Sequence, residues 1–263
     1  MQQIALARWA GEIEAGPKIV FVDPHSEALI MDFIPGRVVH PRDFQTPYYL
    51  DTFAEALRSL HQSSINFPIA SSPFKRFHNF LDKNAYPSLL RIPEIKALMK
   101  DIENVFQVHE SPLVPSHLDL HSHNIMLSGE RFFLVDWVNG GMSNPYFDLA
   151  TFAIFHGLSE SQIKNFLGTY FGRNCHELEW NLFVVAQPVR LFVIAAAYLS
   201  LPLEKRGCDQ ETEGIEFEHF IHLGAVEKRN VSHRQIGFMM LKAALQLIDG
   251  TRFKESLASL KRE

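Results

Sequence analysis

The sequence predicts an α+β fold, a small front unit followed by a mostly helical remainder, and three observations carry that expectation. Short helical and strand patterns alternate in the first half. The second half is mostly helical in period. A length of 263 residues suffices for one large domain or two lobes sharing a cleft. At 46% hydrophobic and 21% charged, the chain is outside the collagen-like, disulfide-stapled and disordered classes. Two cysteines, Cys175 and Cys208, cannot build a disulfide framework and fit a reducing compartment. A net charge of −5 with no basic stripe argues against a nucleic-acid partner. The longest clean apolar run, Leu191 to Leu199, is too short for a bilayer, and Arg8, Gly11 and Glu12 interrupt any secretory signal. A soluble, cytoplasmic protein without a membrane partner is expected.

Residues 2–15 show a rough apolar face in Ile4, Leu6, Trp9 and Ile13, and Gly16-Pro17 stops that helix. Lys18 to Val22 and Ala28 to Phe33 read as strands joined by the turn Asp23 to Ser26, and Pro35-Gly36 ends the hairpin. Residues 1–36 are thus the expected small unit, and Ile34 to Pro41 joins it to residues 37–263. Thr52 with Glu55 fits a capping box for a helix through about His61. Pro93 suits the first position of a longer helix whose inner face is Ile95, Leu98, Met99, Ile102, Val105 and Phe106. Asn124 to Leu127 and Phe132 to Trp137 form a second hairpin around Ser128-Gly129-Glu130. Ser159 with Gln162 opens another helix, which Gly172 closes. Helices follow at roughly 177–201, with Pro188 inside, and at 232–248; the glutamate-rich stretch 204–218 reads as a loop.

Chemistry concentrates between Ser116 and Ala150. His117-Leu118-Asp119 precedes Asn124, which opens one strand of the second hairpin, and Asp136 closes the other. A hairpin brings its open ends together, so Asn124 and Asp136 are expected as neighbours, with Asp119 one short loop away. Two carboxylates and an amide oxygen make a hard-oxygen set suited to magnesium. Phosphoryl transfer needs such a metal, and a carboxylate to orient the attacking hydroxyl and take its proton. Histidine-x-aspartate followed five residues later by asparagine is the spacing of a phosphotransferase catalytic loop. Competing readings are turn and cap roles for the carboxylates, a helix N-cap for Asp148, and a zinc site on His117, His121 and His123. Trp137, Tyr146, Phe147, Tyr170 and Trp180 could cage a quaternary ammonium, although aromatics at such spacing also build cores.

The run HLDLHSHNIM, FFLVDW and NPYFDLA resembles the aminoglycoside phosphotransferase and choline/ethanolamine kinase superfamily, and within it the bacterial choline-kinase-like branch most. The likeness covers about residues 1–200. It implies a protein-kinase-like two-lobe fold, with a small lobe reduced to one helix and one hairpin, and with ATP and Mg2+ as cofactors. Asp119 would be the catalytic base and His117 would brace its loop. Asn124 and Asp136 would hold magnesium, and Asp148, just before a helix, would tie the loop's backbone. Met31, Asp32, Phe33 and Ile34 would be the inter-lobe hinge contacting adenine. The implied partner is a small-molecule alcohol, choline- or ethanolamine-like, with an aminoglycoside as the alternative. The front of the chain departs from the pattern. It carries no glycine-rich loop in its first 15 residues and no strand with a phosphate-binding lysine, and Gln2 and Gln3 stand where a pairing glutamate is expected. A truncated N-terminal lobe is therefore expected, with impaired catalysis or a kinase-like binding protein as its consequence. The bare edge of the Ala28–Phe33 strand would invite a homodimer.

Overall fold

The structure is a computed structural model that describes residues 2–23, 25, 28–64, 71–82, 92–201, 216–222 and 231–262. Its contacts divide the chain into two compact units, residues 1–71 with 112–175, and residues 72–111 with 176–263.

The first unit opens with helix α1 (Gln2–Glu12) and the antiparallel hairpin β1 (Ile19–Asp23) and β2 (Ala28–Met31). β3 (Arg37–Val38) follows and pairs with β5 (Ile125–Ser128), which pairs in turn with β6 (Arg131–Leu134). A second small sheet joins β4 (Val114–Ser116) to β7 (Gly141–Ser143). Helices α2 (Pro47–Gln62), α5 (Tyr146–Phe155) and α6 (Glu160–Phe171) complete the unit. Phe53 of α2, Phe152 of α5 and Phe166 of α6 meet Phe132 of β6 and Phe44 of the 3₁₀ turn Pro41–Gln45 in an aromatic cluster, with ring centroids 4.3 to 5.7 Å apart along the contacts. Rings at these separations add edge and stacking attraction to their area burial.

α1 packs under the turn that follows β6. Trp9 meets Trp137 edge-on at 5.7 Å, Ala15 accepts a bond from the Leu134 amide at 2.7 Å, and Arg131 pairs with Glu14 at 2.8 Å. β3 approaches β5 so closely at Gly36 that a Cβ there would collide with the Leu127 carbonyl oxygen and crowd Ser128. Gly36→Ala is expected to cost about 1–3 kcal/mol through overpacking against rigid backbone, read as a lower urea midpoint at unchanged slope.

In the second unit, α7 (Glu177–Leu199) is the central helix, packed by α3 (Pro73–Asp82), α4 (Ile92–Val108), α9 (His233–Asp249) and α10 (Thr251–Leu260), with the short α8 (Phe217–Ile221) against α9. Asn181 of α7 accepts a buried bond from Ser256 of α10 at 2.9 Å. α7 has the length and apolarity to cross a membrane, but 72% of its most apolar window is buried inside the protein. It is the core of this unit.

Several element boundaries differ from expectation for local reasons. α2 begins at Pro47, not Thr52; proline's fixed φ suits the first helical position, and Thr52 lies inside the helix, its hydroxyl bonded back to the Tyr48 carbonyl at 2.7 Å. β6 ends at Leu134 instead of Trp137, because Asp136 has φ of 62° and leaves the pleat for the 3₁₀ turn Trp137–Asn139. Asp148 lies within the first turn of α5 and does not cap it; Pro145 holds the cap position. α3 and α10 were not expected, and Phe217 and Glu218 begin α8 where a loop was read. The capping boxes at Ser159/Gln162 and Ser232/Gln235 are formed, and Gly172 ends α6 in the left-handed conformation. Residues Pro24 and Ser26 of the first turn, and 204–215 of the acidic loop, lie outside the described residues.

Candidate active site

The sequence around Asp119 folds into a loop between β4 and β5 for a traceable reason. Leu118 adopts φ of 60°, which an L-residue with a bulky side chain rarely holds. Such strain persists only where the surroundings over-determine it. Here they do so through Asp148. Its Oδ1 accepts the Leu118 amide at 2.6 Å and its Oδ2 accepts the His117 amide at 2.8 Å, with the carboxylate wholly buried. His117, also fully buried, bonds through Nε2 to the Val135 carbonyl at 2.9 Å and lies against Trp137 at 4.7 Å. The loop is thus tied to α5 by one carboxylate and to the far strand of the hairpin by one imidazole.

Behind Asp148 stand two groups that the sequence reading did not assign to the site. His61, at the end of α2, places Nε2 3.1 Å from Asp148 Oδ2 and Nδ1 2.8 Å from the Tyr170 hydroxyl of α6. All three are buried. His61 falls four residues after Leu57 on an apolar helix face, where a polar side chain is conspicuous. Tyr170 is expected from the sequence only as a cage or core ring, and its hydroxyl bond to His61, 109 residues away, needs the tertiary structure.

Burial pushes the Asp148 carboxyl up, but the hydrogen bond and charge of His61, then the charge and backbone amide of His117, outweigh it and hold the group below the ordinary carboxylate range. Burial, then the charge of Asp148, pushes the Tyr170 hydroxyl above the usual phenol range. A carboxyl depressed in the folded state stabilises the protein above its unfolded pKa, and that contribution is lost as pH falls through the lower folded value. His61→Phe removes the main compensation, so Asp148 should titrate higher and acid unfolding should begin at higher pH than in the wild type. Circular dichroism across pH 2–6 reads this, at a scale set by the ordinary carboxylate pKa of about 3.9.

The structure brings Asp119 and Asn124 together. Asn124 Nδ2 donates to the Asp119 carbonyl at 2.9 Å and to its Oδ2 at 3.2 Å. Only the NH2 end of an amide can donate to a carboxylate, so the Asn124 oxygen is left for a cation. Asp136 follows one residue beyond the close approach of Val135 N to Asn124 O at 3.0 Å, and its side chain is exposed. Asp136 Oδ1 accepts a long bond from the Val138 amide at 3.4 Å. One exposed carboxylate and one free amide oxygen fit magnesium, which takes hard oxygen donors and keeps water or phosphate in its other positions. Bound there, such an ion would offset the negative charge of phosphate groups.

His121 Nε2 lies 3.6 Å from Asp119 Oδ2. The zinc reading is not supported. His117 commits Nε2 to Val135, and no group of three or more His, Cys, Asp or Glu among the described residues is arranged around a metal. Nor do the candidate cage aromatics form an open cage. Trp137, Tyr146, Phe147 and Tyr170 are at most 8% exposed, and Trp180, in the second unit, is covered by the Arg252 guanidinium at 5.7 Å.

Met31 ends β2, Asp32 N–H donates to Lys18 O at 2.9 Å, and Ile34 O accepts from Gly36 at 2.8 Å. Between them Phe33 is 86% exposed, and among the described residues its backbone bonds to no other backbone group. Of the four expected hinge residues, it is the one for which neither backbone group is engaged among the described residues.

A histidine-aspartate loop tied by a buried carboxylate from the next helix, with an asparagine and an aspartate at the mouth of a hairpin, defines a kinase-like phosphotransferase fold. The family model for the phosphotransferase enzyme family matches residues 2–180, and the chain belongs to that family. Protein LicA of Haemophilus influenzae is 31% identical over 119 residues, which cover 43% of this chain and 44% of that protein. The match thus spans less than half the length of that curated relative. The crystal structure of a choline/ethanolamine kinase family protein from Mesorhizobium loti is similar at TM-score 0.81 and 21% identity, covering 100% of this chain and 83% of that one. The choline kinase LicA from Streptococcus pneumoniae is similar at TM-score 0.71 and 13% identity, covering 98% and 80%. The kinase-like α+β fold is therefore shown.

Proposed function

We propose that this phosphotransferase is an ATP- and Mg2+-dependent kinase that moves the γ-phosphoryl group to the hydroxyl of a small cationic alcohol, choline- or ethanolamine-like. The observation that carries the reading is the Asp119 carboxylate. Its Oδ2 is held by amide donors, and its other oxygen, Oδ1, accepts no bond among the described residues. Such a carboxylate can orient a hydroxyl and receive its proton while the hydroxyl oxygen attacks phosphorus. Asn124 and Asp136 would hold the magnesium, His117 and Asp148 would keep the loop in register, and residues 31–34 would meet adenine through the Phe33 backbone. The choline-like acceptor is supported by the kinds of kinase that share the fold, and an aminoglycoside is the other acceptor to test.

The division at residue 36 belongs to this proposal, with residues 1–36 covering the nucleotide and residues 37–263 carrying the loop and the acceptor pocket. So does a cytoplasmic location, where ATP is available. β1 and β2 pair with each other alone among the described strands, and Val20, Phe21 and Ile30 are more than half exposed, which supports a second copy adding to this sheet.

The test is a phosphorylation screen over amino alcohols and aminoglycosides with Asp119→Asn as control, alongside calorimetry of ATP with and without magnesium. Magnesium-dependent nucleotide binding and product from one acceptor class support the reading. Nucleotide binding without transfer to any acceptor supports a kinase-like binding protein, and the absence of both removes the proposal.

A further inference from the structure

Asp119 Oδ2 has a second amide donor, from a residue that the motif spacing does not mark. Asn139, the last residue of the 3₁₀ turn Trp137–Asn139, donates from Nδ2 at 3.1 Å. Asn124 donates to the same oxygen at 3.2 Å from the other end of the hairpin mouth. A carboxylate oxygen offers two lone-pair sites, so these two amides fill Oδ2. Oδ1 is then the oxygen that remains for a substrate hydroxyl. The turn that delivers Asn139 is itself set by Asp136, whose left-handed backbone at φ 62° starts it. Trp137, within that turn, is buried against Trp9 and His117.

We propose that Asn139 is a positioning residue for the reaction: with Asn124 it locks the rotation of the Asp119 carboxylate and selects Oδ1 as the proton acceptor. This rests on Asp119 being the base, as proposed above. Because the turn runs directly from Asp136, the same short segment that would present one metal ligand also orients the base. The relative placement of hydroxyl, phosphate and metal is then set by one rigid piece of backbone.

Two variants separate a donor role from a space-filling one. Asn139→Asp keeps the size and shape but turns the donor into an acceptor beside a carboxylate, and Asn139→Ala removes the group. Both should lower kcat roughly 10- to 100-fold, the scale of a misplaced reacting group. KM for the nucleotide and the melting temperature should stay near wild type. A second readout needs no turnover. The Asn139 side-chain amide resonance, assigned by its loss in Asn139→Asp, should shift and its protons should exchange faster in Asp119→Asn. Wild-type turnover in Asn139→Asp overturns the inference, and so does an amide resonance indifferent to Asp119→Asn. A wild-type protein that phosphorylates no acceptor sinks the proposed function instead, and the amide measurement then decides alone whether Asn139 orients Asp119.

Discussion

Asp119→Asn should fold as the wild type, bind nucleotide with unchanged affinity, and lose phosphoryl transfer by roughly 10²- to 10⁴-fold, the range that a positioned general base contributes. The reasoning starts from the environment of the carboxylate. Its side chain is 23% exposed and is engaged through Oδ2 only by neutral amides, with His121 at 3.6 Å. Replacing it with an amide of the same size creates no cavity and exposes no buried charge, so folding has little to lose. On the proposed mechanism the substitution removes the acceptor for the hydroxyl proton, and it sets an NH2 or a carbonyl against the Asn124 and Asn139 amides. Steady-state transfer with the best acceptor, with calorimetry of the nucleotide on the same samples, measures both halves. Turnover within a few-fold of wild type would take the base role away from Asp119; lost nucleotide affinity would show that the carboxylate acts on the phosphates or the metal.

Asp148→Ala should be the most destabilising single change at the site, about 3–5 kcal/mol, the cost of removing one partner from a buried charged network. Three donors converge on this carboxylate, the His117 and Leu118 amides and the His61 ring, and all are shut off from water. Truncation leaves them facing a void, and each buried orphan donor carries its own desolvation penalty. It also removes what holds Leu118 at φ 60°, so the loop should relax and draw Asp119 away from Asn124. The measurable result is a fall in melting temperature of roughly 10 °C for a chain of this size, together with loss of transfer out of proportion to the unfolded fraction at the assay temperature. A variant that melts with the wild type would mean that the loop holds its conformation without this tie. Asp148→Asn should sit between the two, since its carbonyl can accept one amide while its NH2 opposes the other.

The legibility of this site in the sequence varies from residue to residue. The hairpin that carries Asn124 and Asp136 was visible because strand alternation and the Ser128-Gly129-Glu130 turn are local, and the observed register, Ile125 opposite Leu134 and Ser128 opposite Arg131, follows from them. The capping box at Ser159 was visible for the same reason, since four consecutive residues contain all of it. Where a local reading failed, a competing signal close by had won. Pro47 started α2 ahead of the Thr52/Glu55 pattern, and the left-handed Asp136 cut β6 short before Trp137. Asp148 bonds the His117 and Leu118 amides from inside α5's first turn and not from the cap position that its place in the sequence suggests.

The linear order of residues determined which groups can meet over short spans: the histidine-aspartate loop, and the asparagine five positions on that bonds to its aspartate. These are properties of turns and strand period, which a dozen residues settle among themselves. Only the tertiary structure decided that His61 and Tyr170, 87 and 22 residues from Asp148, stand behind it, and that Asn139 reaches back 20 residues to the same oxygen as Asn124. Such meetings depend on how α2, α5 and α6 pack over the aromatic core and on the path of one 3₁₀ turn. Packing of that kind is collective, since each contact exists only when all the neighbouring ones do, and no spacing along the chain encodes it.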